Sequence, residues 1–345
     1  MRTGVVVIGR NEGPRLGASL RAASGGGGPV VYVDSRSSDG SVELARSLGV
    51  RILGIPDGQP LSAARARNVG FAALLEADPT IEAIQFIDGD CEMVDGWFQA
   101  AWNELAARPD AAIVFGRVRE RHADANVYTR LCEMEFDRPP GDVASCGGIF
   151  MIRAAVMREV GGFNPDIVAA EEPELSKRIV GLGWTIVRLG RDMCLHDSGM
   201  TRFGQWWRRE MRGGYAGIDA ARRFGLAQYR RQNRSARMWT AGVFGAAAAA
   251  GGAAAWVWGW WAALAAVLIV LALVPFQSLR LAVRAARRGV PLSTAFAYGA
   301  MMMLSKWAQA YGQAKRSLEL ARGRSARIVE HRKPPRAPAP SGGVP

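Results

Sequence analysis

The chain has 345 residues, 49% of them hydrophobic, and a formal net charge of +13, enough for one substantial core with segments left over. Its four cysteines, 91, 132, 146 and 194, lie far apart with no C-x-x-C pair, which excludes a zinc module and reads as buried thiols in a reducing compartment. No zinc finger, helix-turn-helix or aromatic RNA motif accompanies the basic residues, and they flank a long apolar run, so the charge points to anionic lipid headgroups and away from nucleic acid.

The start, Met1-Arg2-Thr3 before Gly4–Gly9, lacks the form of a secretory signal. Gly4–Gly9, Val30–Asp34, Arg51–Ile55 and Ala83–Asp88 are short β-branched runs that read as strands. Residues 14–23, 40–48 and 61–77 between them read as helices, and this alternation predicts a mostly parallel sheet with right-handed crossovers. Ligands of such sheets sit at the carboxyl ends of the strands. Those ends carry Arg10-Asn11-Glu12, Asp34-Ser35 and Asp88-Gly89-Asp90. Glycines 25–28 read as a connector, since no Lys-Ser/Thr follows to make a phosphate loop. From 111 to about 200 the pattern loosens, with strands expected at 112–117, 148–152 and 184–188 and a helix at 171–182.

Residues 203–237, rich in Arg and Trp, read as amphipathic helix at a membrane surface. The uncharged run Met238–Leu279 has room for two membrane helices of about 20 residues. A hairpin with arms at 239–257 and 260–282 is the preferred reading, with Trp256, Trp258, Trp260 and Trp261 at its turn and basic segments at its outer ends. Positive-inside logic puts both termini in the cytoplasm, whereas a single span at 260–282 would put the tail outside. Residues 292–314 read as an interfacial helix, and the Arg/Pro-rich segment after 323 as disordered. The expected domains are thus 1–215 catalytic, 216–238 juxtamembrane, 239–283 the hairpin, 284–322 basic and amphipathic, and 323–345 the tail.

Asp88-Gly89-Asp90 sets two carboxylates at i and i+2 directly after a strand, an arrangement suited to a hard divalent cation shared with phosphate. A plain turn is the alternative for an isolated D-G-D. Its companions, in order, are Asp34-Ser35-Arg36-Ser37-Ser38-Asp39-Gly40-Ser41 and Arg67-Asn68 before it, then Cys146-Gly147-Gly148-Ile149 and Glu171-Glu172-Pro173-Glu174-Leu175 after it.

This ordered set resembles the family 2 glycosyltransferases of the GT-A fold, from about Val5 to Gly214. The resemblance implies a Rossmann-like GT-A domain followed by the membrane hairpin. It implies that Asp34, Arg67, Asn68 and Asp88 bind the nucleotide-sugar donor, with Asp34 at the nucleobase and Asp88 at the ribose or the metal. Asp90 would hold Mg2+ or Mn2+, joined by His196, which is similar to a late metal-binding His of some GT-A enzymes. Gly147, Gly148 and Glu171 would meet the acceptor. Glu172 stands at the catalytic base, where the family more often has Asp. Gln205-Trp206-Trp207-Arg208 is similar to the Gln-x-x-Arg-Trp motif of processive members but lacks the final Trp.

The expected activity is inverting sugar transfer to a lipid-linked or other glycan acceptor in cell-envelope or exopolysaccharide synthesis. The expected location is a bacterial inner membrane, in contact with its lipids, with the catalytic domain cytoplasmic. The alternatives are a sugar nucleotidyltransferase, for which Arg10–Arg15 is a poor phosphate loop, and an inactive membrane scaffold.

Overall fold

The computed structural model describes residues 2–324. They divide into two compact units, one made of the chain up to Ala123 with Cys132–Gly199, the other of Asp124–Leu131 with the chain from Met200 on.

In the first unit β1 (Thr3–Gly9), β2 (Val30–Asp34), β3 (Arg51–Gly54) and β4 (Ala83–Asp88) are connected by α1 (Pro14–Ala23), α2 (Ser41–Ser47) and α3 (Ala63–Ala77). The strands pair in parallel in the order β3-β2-β1-β4. Side chains alternate across the sheet. Val6 and Ile8 therefore pack with Ala64, Ala66 and Leu74 of α3, while Val5 and Val7 pack with Leu16 and Leu20 of α1. Helices on both faces explain why these strands are continuously apolar. The register sets Gly9 beside Asp34 and Ile8 beside Asp88, so the polar residues that follow β1 share one edge with the ends of β2 and β4.

Beyond β4 the chain forms β5 (Cys91–Met93), α4 (Trp97–Ala107), β6 (Ala111–Glu120), α5 (Val127–Phe136), β7 (Gly141–Asp142), β8 (Phe150–Arg153), α6 (Ala154–Glu159), α7 (Glu171–Gly181) and β9 (Thr185–His196). The sheet continues β4-β8-β6-β9-β5, with β7 on β9. Here β8 opposes β4 and β6, and β5 and β7 oppose β9, while β6 and β9 are parallel. The whole is a mixed α/β sheet whose parallel half is the β3-β2-β1-β4 side. Two strands outrun their sequence signal. β6 and β9 pass through register shifts and end paired at Glu120 and His196, well past the expected 117 and 188. Charged residues interrupt both distal parts, Arg117, Arg119 and Glu120 in β6 and Arg191 and Asp192 in β9, which hides the period-two pattern that long-range pairing supplies.

The second unit is helical: α8 (Phe203–Arg222), α9 (Ala227–Arg237), α10 (Val243–Trp258), α11 (Trp260–Leu271), α12 (Leu273–Ala286) and α13 (Leu292–Ala321). A π turn at Met238–Gly242 carries α9 into α10, so Ala227–Trp258 is one helix of 32 residues, and Trp260–Ala286 is another of 27. Both are long and apolar enough to cross a membrane, and the most apolar stretch of the second is wholly unburied. Position 215, the expected end of the catalytic domain, lies within α8, and the units part at Gly199 and Met200.

The residues expected to form an interfacial helix belong to α13, whose 30 residues pack one face on α8 and α12. Glycines make that approach possible. A Cβ on Gly312 would stand 2.1 Å from the Met211 carbonyl oxygen, and one on Gly299 2.2 Å from that of Ser278. Fully buried Arg316 forms a two-pronged ion pair with Asp219, at 2.8 and 3.2 Å. Apart from Gly323 and Arg324, the expected disordered tail falls outside the described residues.

Candidate active site

The site grows from α3. Ser62 caps this helix by accepting from the Arg65 N–H at 3.2 Å, and the first turns direct Arg67 inward, where it is 2% exposed. Its Nη2 donates to Asp88 Oδ1 at 3.0 Å and to the Gly148 carbonyl at 3.2 Å. Its Nη1 donates to Glu171 Oε1 and Glu172 Oε1, each at 3.1 Å. The Phe163 ring covers the guanidinium at 5.4 Å. One cation thus gathers three carboxylates from β4 and α7. Its ion pairs are to protein carboxylates, so its effect on a ligand passes through them.

Glu171 and Glu172 open α7, where the helix dipole favours negative charge. They follow Ala170, which holds φ at 74°. Asn11 and Arg36, after β1 and β2, are likewise left-handed, at 56° and 62°. Such conformations cost of order 1–3 kcal/mol each and gather at functional sites. Burial and the charge of Glu171 push the Glu172 carboxyl up to about 7, against the pull of Arg67. Asp88 is raised as well, by desolvation and by Asp90 and Glu171, with Arg67 pulling it down. Its side chain is 39% exposed, so water tempers that shift.

Gly148 lies at the centre of these groups. A Cβ there would stand 2.9 Å from Arg67 Nη2, 3.0 Å from Asp88 Oδ2 and 3.1 Å from Glu172 Oε1. Among the described residues nothing lies within 4 Å of the corresponding point at Gly147. The two glycines therefore differ: one permits a close approach inside the cluster, the other leaves room beside it.

Asp34 and Asn68 are engaged by the protein itself. Tyr32 donates its hydroxyl to Asp34 Oδ1 at 2.9 Å and the Ser37 N–H donates to Oδ2 at 2.8 Å, which closes the turn after β2. Asn68 donates to the Phe163 carbonyl at 2.8 Å and accepts from the Phe163 N–H at 2.9 Å. Both ends of its amide hold the loop that carries Phe163 over Arg67.

On the far strands Asp90 and His196 come together, His196 Nε2 lying 3.6 Å from Asp90 Oδ2. The register of β5 and β9 sets Cys91 opposite His196, and Asp90, Cys91 and His196 form a group able to hold a cation. Burial pushes the Cys91 thiol well up, so it stays protonated and is a poor ligand. A carboxylate and an imidazole remain. That donor set suits Mn2+ or Mg2+ completed by phosphate oxygens and water. Sequence reasoning missed Glu120, whose carboxylate accepts from His196 Nδ1 at 2.7 Å, and the backbone of Ala170. Neither carries a local motif, since both are defined by the partners that distant strands and turns bring to them.

Residues 5–160 match the family model described as Glycosyl transferase family 2. Among solved structures the chain is similar to a mannosyltransferase from Pyrobaculum calidifontis in complex with GDP-Man and Mn2+, at 16% identity and a TM-score of 0.55, covering 91% of this chain and 87% of that one. It is also similar to a mycobacterial protein, at 16% identity, 65% and 75% coverage and a TM-score of 0.45. A third is glucosyl-3-phosphoglycerate synthase from Mycobacterium tuberculosis in complex with Mn2+, UDP and phosphoglyceric acid, at 15% identity, 58% and 71% coverage and a TM-score of 0.39. No curated protein sequence matches the chain. At these identities the likeness to solved structures is one of fold, and only the first is close enough to weigh. The match to glycosyl transferase family 2 is thus confined to residues 5–160, and the sheet that carries them is mixed α/β and GT-A-like in fold.

Proposed function

We propose that the protein transfers a sugar from a nucleotide-sugar donor to an acceptor hydroxyl by a single inverting displacement. The observation that carries this reading is the convergence of Asp88, Glu171 and Glu172 on buried Arg67 around Gly148, on the sheet that also pairs Asp90 with His196. Glu172 takes the acceptor proton, since a carboxyl near 7 is both available as a base and strong enough to act as one. Asp34, which ends β2, and Asp88, which ends β4, receive the donor's nucleoside, and Arg67 and Asn68 serve it by fixing Asp88 and the Phe163 loop. Gly147 and Glu171 face the acceptor. Asp90 and His196 would hold Mn2+ or Mg2+, which offsets diphosphate charge on departure. The similar mannosyltransferase structure, which contains GDP-Man and Mn2+, supports both donor class and metal.

The two apolar helices support attachment to a membrane, and the arginines at their outer ends, 230–237 and 280–288, support a cytoplasmic catalytic unit in a bacterial inner membrane. A lipid-linked acceptor of envelope or exopolysaccharide synthesis follows from that attachment. Nucleoside diphosphate release by purified protein, screened over nucleotide-sugars with Mn2+ and extracted lipid, tests the reading. Release that needs both metal and lipid, and that Asp90→Asn and Glu172→Gln abolish, is expected. Unchanged turnover in either variant overturns the assigned roles, and equal activity on a soluble glycan overturns the lipid-linked acceptor.

A further inference from the structure

We infer that Glu120 is the positioning residue of the metal site: it orients His196 so that Nε2 faces the cation, and its charge strengthens that nitrogen as a ligand. The inference rests on the metal-assisted reading above and adds to it a residue that no motif marks.

Glu120 ends β6 in register with His196 at the end of β9, so the two side chains meet across adjacent strands. Its side chain is fully buried at 0% exposure, and Oε2 lies 2.7 Å from His196 Nδ1. The other oxygen accepts from the Ser198 N–H at 3.0 Å and the Ser198 hydroxyl at 2.9 Å. Those two bonds hold the carboxylate where only its second oxygen can meet the ring. With Nδ1 protonated and donating to Glu120, the lone pair of the neutral ring is on Nε2, which points toward Asp90. Phe136 meets the same ring edge to face at 5.5 Å and 83°, which limits its rotation.

A purely structural part explains less. Among the described residues Glu120 touches no arginine or lysine. A buried carboxylate without a cation is costly, and in this protein others, such as Asp219 with Arg316, have one. Among the described residues the imidazole is the one route by which positive charge reaches Glu120, and a dication held at Nε2 would supply it. Carboxylates placed behind metal-bound histidines act in this way, and removing one typically weakens metal binding by about 10- to 100-fold.

The test is Mn2+ binding to the full-length protein, read from the loss of the free-ion electron paramagnetic resonance signal, in wild type, Glu120→Gln, His196→Ala, Asp90→Asn and the Glu120→Gln/His196→Ala pair. Glu120→Gln keeps shape and hydrogen bonding to Ser198 while removing the charge, and Ser198→Ala serves as a second variant that leaves the charge and frees the carboxylate. Weakening by roughly 10- to 100-fold in Glu120→Gln, a smaller loss in Ser198→Ala, and no added effect of Glu120→Gln once His196 is gone are expected. Wild-type affinity in Glu120→Gln, with loss in His196→Ala and Asp90→Asn, overturns the role of Glu120 alone. Binding indifferent to His196 and Asp90 overturns the metal site itself, and this inference with it.

Discussion

Arg67 donates to Glu172 at 3.1 Å, yet the Glu172 carboxyl is still pushed up to about 7 by burial and by its neighbour Glu171. The cation restrains the shift without cancelling it. A general base must be ionised, so turnover is expected to rise with pH through about 7 and to level off above it. The pH profile of kcat/KM at saturating metal checks this. A rate independent of pH between 5.5 and 8.5, about the span that brackets such a group, removes Glu172 from the proton transfer.

Removing the cation has two consequences of known sign. Arg67→Met takes away the charge that lowers both Glu172 and Asp88, so the acidic limb of the profile moves to higher pH. It also leaves three carboxylates without their common partner, at a cost of about 3–5 kcal/mol for a buried pair. A lower thermal midpoint together with the shifted limb is expected. A shift without destabilisation would mean that the carboxylates relax to water.

The two glycines of the 147–148 pair separate close approach from open space. Gly148→Ala sets a methyl within 2.9–3.1 Å of three charged atoms, so activity is expected to fall by at least about tenfold with a modest loss of stability. At Gly147 the same change meets nothing within 4 Å among the described residues, and the expected effect is on the KM for the acceptor with stability unchanged. Steady-state kinetics beside thermal melts for both variants decide it.

Asn68 carries a comparable distinction. Its amide makes two bonds to the Phe163 backbone, so Asn68→Ala should destabilise the fold by about 1–3 kcal/mol and lower kcat through the loosened Phe163 loop. A direct donor contact predicts instead a raised KM for the nucleotide-sugar with an unchanged melting temperature.

How much of this was legible depends on range. β1, β2 and β4 and the polar residues at their ends can be read locally, because unbroken apolar runs alternate with helical stretches and the register then follows from parallel crossovers. Asp90 and His196 could be nominated by chemistry, but their meeting depends on β5, three residues long and too short to leave a pattern. Glu120 looks like the end of a charged run, Arg117–Glu120, and acquires its part only when β9 arrives beside it. Arg67 reads as a ligand-binding arginine from its R-N pair, and nothing local tells that Glu171 and Glu172, over a hundred residues on, enclose it. Residues 292–314 read as interfacial because Lys306, Gln309 and Gln313 interrupt the apolar run, and the packing of α13 on α8 and α12 is a long-range relation that no local pattern shows.

Trp256, Trp258, Trp260 and Trp261 are 91%, 70%, 77% and 66% exposed around Gly259, which joins the two apolar helices with φ at 89°. Four large rings open to water at one turn would be a costly arrangement for a water-soluble surface, at about 25 cal/mol for each Å2 of apolar area. In a bilayer the same rings sit at the headgroup level, with Leu264, Leu268 and Ile269 of α11 meeting acyl chains. Brominated lipids should therefore quench this group, and replacing all four with Phe should remove most of the quenching that a headgroup-proximal bromine produces. Quenching restricted to bromine at mid-chain would place the turn inside the bilayer and shorten the first arm below a span. Quenching absent at every depth would leave the helices outside the membrane altogether, their exposed faces then covered by protein, which a concentration-dependent change in sedimentation would show.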